Sequence, residues 1–266
     1  AAIIDTRLKP DNFITKTLTS FTNNQPPLKM RTIVHFDQRQ EITVSLPQFL
    51  HNDPSSNMQI KWTGFKGEGT YNPKYKEAAF AFDAGGVSVT EEDQWVVVDK
   101  ISGSFKGDIS AAPGNSKVVY SIGAISVNQP DRGTSVSIKN IKAEGASKND
   151  KSLTNAYSDI QVGPAIVDGE NYGPGRIRFD LRRLDTKTLQ SVQKEVNKVQ
   201  AEMAEQGLPP EMLTFALQPI ITKALPELLK KQPEIEISKL SMVTPEGEIK
   251  GNLKISIDNI NQAALD

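Results

Sequence analysis

Alternation of apolar and polar residues dominates this chain and predicts β-strands over most of its length. Between residues 60 and 147 it recurs in short segments, separated by turn residues such as Asn72-Pro73 and Gly85-Gly86. Each alternating segment has one apolar and one polar face, as strands of antiparallel sheets do. Turn residues between such segments favour hairpins. The pattern therefore predicts a run of antiparallel strands joined by hairpins.

A short element recurs within this β region. It places an apolar residue directly before a lysine and within two positions of glycines at Phe65 and Phe105, and a looser version surrounds Ile141. The apolar positions are 40 and 36 residues apart. Glycines inside strands usually mark bulges or close approach of another group to the backbone. We interpret the element as a structural repeat that is too degenerate for a solenoid.

Helical periodicity appears at two places. Near the start of the chain, apolar residues fit one face of a short helix: Phe13, Ile14, Leu18 and Phe21. Later, Asp185 is expected to cap a helix that ends near Gly207. A second helix should carry an apolar stripe formed by Leu213, Leu217, Ile220, Ile221, Leu225 and Leu228. Pro219 and Pro226 should kink or segment it, and the two helices should form an αα-hairpin.

Two similar segments indicate a duplicated framework. Asp5-Thr6-Arg7-Leu8 and the stretch 180–185 each precede a helical segment, a Gln-Pro pair and two alternating strands. The pairs, Gln25-Pro26 and Gln232-Pro233, lie 207 residues apart. The second copy has the αα-hairpin where the first has one short helix. Because the first copy starts so close to Ala1, we expect the chain to be a piece of a longer protein.

Together these elements predict an α+β fold. We expect a predominantly antiparallel, curved β-sheet built from hairpins, a short N-terminal helix, and a C-terminal αα-hairpin packed on the sheet. Residues 1–266 would form one elongated domain or two tightly packed subdomains. In the second case, residues 1–155 would be β-rich with one short helix, and residues 156–266 would be β-αα-β.

Composition narrows the chemistry. The chain has no cysteine, which excludes disulfides, thiolate metal sites and a cysteine nucleophile. Its 31 Lys and Arg residues and 32 Asp and Glu residues leave a net charge of −1. This balance argues against general electrostatic attraction to nucleic acid, which we do not expect as a partner.

Candidate catalytic and ligand motifs are weak. The glycine spacing after Gly64 is not the dinucleotide-binding fingerprint. His35 and His51 are the only histidines, whereas a zinc site needs three or four protein ligands. Ser191 and Lys194 form an S-x-x-K sequence without its usual partner motifs. We therefore predict no catalytic residue, no cofactor and no metal.

Basic residues are most concentrated at Arg176, Arg178, Arg182 and Arg183. One interpretation is a surface that contacts an anion or a partner protein. The other, which we favour, is a solvated strand face on which nearby aspartates balance the arginines. The apolar stripes of the two helices are likewise interpreted as packing surface first, and as the lining of an apolar groove second.

Several motifs in the last third of the chain resemble the YdgA-like family of bacterial envelope proteins. They are Asn171-Tyr172-Gly173-Pro174, the stretch 184–189, and the segments 228–235 and 240–251. The resemblance extends over roughly residues 156–257. It implies a signal anchor in the inner membrane, upstream of this chain, and a large periplasmic body whose C-terminal part this chain would be. It implies no catalytic residues.

Three functions follow as hypotheses. The leading one is a non-enzymatic periplasmic module or scaffold that self-associates, or binds another envelope protein, through the surface or edges of its sheet. The second is binding of lipid or another apolar ligand in a groove between the curved sheet and the helices. The third, which we favour least, is an enzyme of unrecognised type. Contact with the membrane is expected only through the upstream anchor.

Overall fold

The computed structural model describes residues 1–7, 28–53, 55–109, 114–205 and 212–256. The short helix predicted around residues 13–21, the Gln25-Pro26 pair and the helix end predicted near Gly207 lie outside these residues. The described residues form mostly antiparallel sheet with two long helices, so the predicted α+β class is confirmed.

Sixteen strands lie in the described part of the chain. They are β1 (Ala2–Arg7), β2 (Lys29–Val34), β3 (Gln40–Leu46), β4 (Phe49–Asp53), β5 (Met58–Trp62), β6 (Phe65–Asn72), β7 (Glu77–Glu91), β8 (Gln94–Asp108), β9 (Ser116–Gln129), β10 (Thr134–Asp150), β11 (Leu153–Val162), β12 (Ala165–Val167), β13 (Glu170–Tyr172), β14 (Gly175–Asp185), β15 (Glu234–Thr244) and β16 (Gly247–Ser256). The helices are α1 (Thr186–Glu205) and α2 (Leu213–Leu229), and a single 3₁₀ turn spans Pro130–Arg132.

Twelve strands form one uninterrupted path, which we call the main sheet. Its order is β1-β2-β3-β6-β7-β8-β9-β10-β11-β14-β15-β16, and every neighbouring pair is antiparallel. The sheet is open and curved, as predicted. Its two ends are the edge strands β1 and β16.

The hydrogen-bonded ladders between the long strands β7 to β10 are interrupted at one level, where the sheet bends. At this level Gly86, Lys100 and Asn140 have left-handed backbone angles, with φ of 124°, 44° and 52°. A Cβ atom at Gly86 would lie 2.3 Å from the Val98 carbonyl oxygen, so this position requires glycine. Beyond this bend, the same four strands continue into a smaller part of the sheet, which we call the side lobe. Its strand order is β4-β5-β7-β8-β9-β10-β12-β13.

The two helices form the predicted αα-hairpin directly after β14. The backbone N–H and hydroxyl of Thr188 both donate to an Asp185 carboxylate oxygen at 2.8 Å, which caps the start of α1 as expected. Met203 on α1 is buried, as are Ile220 and Ala224 on α2. α2 continues through both of its prolines as one helix. The helices pack on each other, and both reach the sheet at β14.

The chain exposes far more surface than a compact protein of its mass. Its accessible surface is 17538 Å². A compact monomer of 29.2 kDa has about 11,500 Å² by the usual scaling of surface with mass. The exposed apolar side chains of the described strands contribute to this surface.

Candidate functional site

One side of the main sheet is apolar from edge to edge, and we call it the apolar face. Cross-strand pairing aligns one side chain from each strand in a single row. The row consists of Ile4, Thr32, Ile42, Gly69, Phe80, Phe105, Val118, Gly145, Ser158, Phe179, Ile237 and Leu253. At the usual strand spacing, twelve strands span about 50 Å along the curve of the sheet.

A neighbouring row on the same face is also apolar. It consists of Met30, Val44, Gly67, Phe82, Gly103, Tyr120, Ala143, Ile160, Ile177 and Leu240. In the middle of this row, from Gly67 to Ile160, small and large side chains alternate. Because glycine has no side chain, the face has shallow depressions between its aromatic rings and branched side chains.

Aromatic rings occupy the centre of the apolar face. The ring centroid of Phe82 lies 5.5 Å from that of Phe65, 6.4 Å from that of Phe80 and 6.3 Å from that of Tyr120. The rings cover the backbone of adjacent strands at glycine positions. A Cβ atom on Gly103 would lie 2.4 Å from the Phe82 ring. The glycines inside these strands thus permit close approach, as the sequence indicated, and they keep the centre of the face shallow.

Much of this face is open. Ten of its apolar side chains are exposed by a third or more of their surface: Ile4, Tyr120, Ile160, Phe179, Ile235, Leu240, Met242, Ile249, Leu253 and Ile255. In the described part of the chain, the helices approach the sheet mainly at β14. The exposure of these side chains shows that the described elements leave much of the apolar face open to solvent.

The opposite side of the main sheet, which we call the polar face, is held together by charge pairs. Nε of Arg176 donates to Asp159 at 2.9 Å, and a terminal nitrogen of Arg178 donates to Asp180 at 3.0 Å. Both aspartates are buried, with 5% and 9% of their surface exposed. The arginines hold the pKa of each carboxyl below its usual range, although burial opposes this effect.

A second cluster on the polar face surrounds Glu144. The Tyr157 hydroxyl donates to this carboxylate at 2.6 Å, and the ammonium groups of Lys117 and Lys142 lie 2.9 and 3.4 Å from it. The hydrogen bond from Tyr157, followed by that from Lys117, lowers the pKa of Glu144 to about 2. The guanidinium of Arg178 lies 4.1 Å from the centroid of the Tyr157 ring, which links the two clusters.

The four arginines singled out in the sequence fall into two groups. Arg176, Arg178 and Arg182 lie on the polar face, each within an ion pair, and Arg182 reaches Glu236 at 2.8 Å. Arg183 lies apart, at a left-handed position with φ of 61°. Its backbone N–H donates to Asn155 at 3.0 Å. Carboxylates on β11, β14 and β15 thus pair with the first three arginines within the sheet.

The helix residues singled out in the sequence also fall into two groups, which differ in how far their side chains are buried. Ile220 is buried, and Leu213, Leu217 and Leu228 are half-buried. Ile221 and Leu225 are exposed, and so is Phe215, which the sequence analysis did not single out. The broad apolar surface belongs to the sheet itself and extends far beyond β14.

The histidines lie in different parts of the fold. His35 follows β2, and its Nε2 is 3.0 Å from a Glu41 carboxylate oxygen. His51 lies in β4, where it pairs with Ile60 in the side lobe. Within the described ranges, no three His, Asp or Glu residues are placed to hold a metal ion.

The polar face also contains a recess of about 650 Å³. A cross-strand row of Thr70, Ala79, Lys106 and Lys117 lies along it. Its rim carries charges of both signs, including Arg39, Glu77 and Asp108. Because the recess is open and its charges are mixed, it selects no clear class of ligand.

Comparison with known proteins identifies a family but no function. The model of the family described as "Bacterial protein of unknown function (DUF945)" matches residues 1–266. Searches of curated proteins and of solved structures found no match. Neither of the two long helices is sufficiently long and apolar to span a membrane, within the residues described.

Proposed function

The chain belongs to this bacterial family of unknown function, and we propose that it binds the acyl chains of lipids along the apolar face of its main sheet. The observation that carries the proposal is the open apolar surface, which continues across twelve strands. Folded monomeric proteins rarely expose contiguous apolar patches above a few hundred Å², and larger patches usually mark interaction sites.

The composition of the face favours an acyl chain over a peptide. A bound peptide brings backbone N–H and C=O groups, which need hydrogen-bond partners when they are buried. In the two apolar rows described above, Thr32, Ser158 and Tyr120 are the only residues with side-chain hydroxyls. An acyl chain needs no such partners, and its transfer from water contributes about 0.8 kcal/mol for each CH₂ group that is buried.

The shape of the face supports the same ligand. Glycines at positions 67, 69 and 103 leave low places between the central rings. A flexible acyl chain can fit this uneven surface more closely than a rigid ring system can. The span of about 50 Å across twelve strands exceeds the length of a single acyl chain, so several chains could lie along the face.

We further propose that the protein works in the periplasm as a non-enzymatic module, held to the inner membrane by an anchor upstream of this chain. The resemblance to the YdgA-like envelope family supports this placement. A compartment between two membranes would also supply the acyl-chain ligand.

The direct test is lipid binding by the protein and two matched variants. Native mass spectrometry after incubation with phospholipid should show lipid-bound protein. Replacing Ile160→Asp and Leu240→Asp together should reduce lipid binding at least tenfold, because it places two charges on the apolar face. Both side chains are 38% exposed, so the fold should tolerate the change.

The control variant carries Ile3→Asp and Ile166→Asp. These side chains are 64% and 45% exposed, and neither lies on the apolar face. It should bind lipid as the unmodified protein does. The proposal would be wrong if the unmodified protein takes up no lipid, or if the two variants bind lipid equally well.

A further inference from the structure

The two ends of the main sheet are unpaired strand edges within the described residues. β1 pairs with β2 alone, and β16 pairs with β15 alone. All ten residues of β16 are exposed. A free edge presents backbone N–H and C=O groups that can accept another strand.

Each edge strand has a counterpart inside the same sheet, and that counterpart is paired with another strand on the side that is open in the edge strand. The duplicated framework relates β1-β2-β3 to β14-β15-β16, with Asp5 in the position of Asp180. β14 is paired with β11 on the side that is open in β1, and β3 is paired with β6 on the side that is open in β16. The chain itself thus shows that both kinds of edge accept an antiparallel strand.

The number of strands makes the two ends compatible with each other. In a path of twelve antiparallel strands, the first and the last run in opposite directions. A second copy in the same orientation would therefore bring its β1 antiparallel to β16 of the first. Its apolar face would lie on the same side, because Ile4 and Leu253 belong to one cross-strand row.

We infer that copies of this chain assemble edge to edge, with β16 of one copy pairing with β1 of the next so that their apolar faces become continuous. Extending the row places Ile4 of one copy opposite Leu253 of the other. Because Ile3 then faces Lys254 and Asp5 faces Asn252, Asp5 lies diagonally between Lys250 and Lys254. This contact pairs opposite charges across the new ladder.

The edge charges do not prevent this pairing. Lysines on edge strands often block unwanted association. Here the ammonium of Lys250 lies 2.8 Å from Glu248, and that of Lys254 lies 3.0 Å from Glu234. Asp5 lies 2.8 Å from Arg31 on the neighbouring strand. The polar edge side chains are thus already balanced within each copy, while Ile4, Leu253 and Ile255 remain half-exposed.

The absence of cysteine in the chain permits a clean cross-linking test. One preparation carries Ile4→Cys and another carries Leu253→Cys. Directly opposed residues in an antiparallel pair have Cα atoms about 4.5–5.5 Å apart, which suits a disulfide. Oxidation of the mixed preparations should give a disulfide-linked dimer on a non-reducing gel, several-fold more than either preparation gives alone.

The matched control mixes Ile4→Cys with Lys254→Cys, whose side chains lie on opposite faces of the sheet. The inference is overturned if this mixture cross-links as well as the first, or if no mixture cross-links. It is also overturned if Leu253→Cys cross-links efficiently with itself, because β16 would then pair with β16. Lipid binding by the same preparations is a separate readout, so edge pairing and lipid binding can fail independently.

Discussion

The two faces of the main sheet belong to the same strands but differ in how their side chains are partnered. On the polar face, the arginines of β14 meet aspartates on β11 and β14, and the carboxylate of Glu144 has three partners. On the apolar face, ten apolar side chains are left exposed by a third or more of their surface. The ion pairs therefore satisfy the charges of the polar face within the sheet, whereas many side chains of the apolar face stay open in the described part of the chain.

The largest change in the free energy of unfolding is expected from removing an ion pair on the polar face. Replacing Arg178→Leu would leave Asp180 and Asp159 buried with weaker compensation. Removing one partner of a buried ion pair typically costs about 3 kcal/mol or more. We expect the free energy of unfolding, measured in urea, to fall by about 3 kcal/mol. Replacing exposed Arg183→Leu should change it by less than about 0.5 kcal/mol, and equal effects at the two positions would contradict the distinction between them.

The next effect concerns the centre of the apolar face. Phe82 contacts three other rings, whereas Phe36 is 97% exposed. Replacing Phe82→Ala should lower the free energy of unfolding by about 2 kcal/mol, less than for a fully buried phenylalanine. Thermal unfolding of Phe82→Ala and Phe36→Ala would measure this. A similar change in both would show that the ring cluster contributes little.

A smaller effect should depend on pH. Because the pKa of Glu144 is lowered to about 2 in the folded chain, its contribution to stability is present above its ordinary pKa of about 4.3. That contribution is lost as the pH falls from there through the folded value. Replacing Tyr157→Phe should raise the pKa of Glu144 and cost about 1 kcal/mol at pH 7.

The difference between Tyr157→Phe and the unmodified protein should narrow as the pH falls towards 2, because protonation removes the same contribution from both. Urea unfolding at several pH values would show this. Tyr172→Phe is the matched control, since Tyr172 donates to the exposed Glu170 at 2.9 Å. A deficit in Tyr157→Phe that stays constant with pH would contradict the role assigned to Glu144.

The smallest effect on stability should come from the open edge of the apolar face. Replacing Ile249→Ser, Leu253→Ser and Ile255→Ser together removes three side chains that are about half-exposed. The free energy of unfolding should change by less than about 1 kcal/mol. Binding of a hydrophobic fluorescent dye should nevertheless decrease. A large loss of stability would indicate that these residues are covered in the folded protein.

Local features were read well from the sequence. Two alternating strands were predicted after Gln232-Pro233, and the structure has them over Glu234–Thr244 and Gly247–Ser256. The cap at Asp185 was also correct. The recurring element placed its apolar residues, Phe65, Phe105 and Ile141, on the apolar face through alternate strands. These features depend on neighbouring residues, which turn chemistry and side-chain period describe.

Longer-range features could not be read in this way. The sequence indicated that nearby aspartates balance the arginines of β14, but not that Arg176 would reach Asp159 on a different strand. It also did not reveal that β7 to β10 bend and continue into a side lobe. Such contacts depend on register and strand order, which join residues far apart along the chain.

The alternating pattern by itself determined that this chain forms an antiparallel sheet with one apolar face, because side chains on a strand point to opposite sides in turn. Only the tertiary structure decided what covers that face. In the described part of the chain the helices pack on each other and reach the sheet mainly at β14, and ten side chains of the apolar face stay exposed by a third or more of their surface. The physical reason is that alternation specifies which side avoids water, whereas the partner that excludes the water is selected by packing between distant segments.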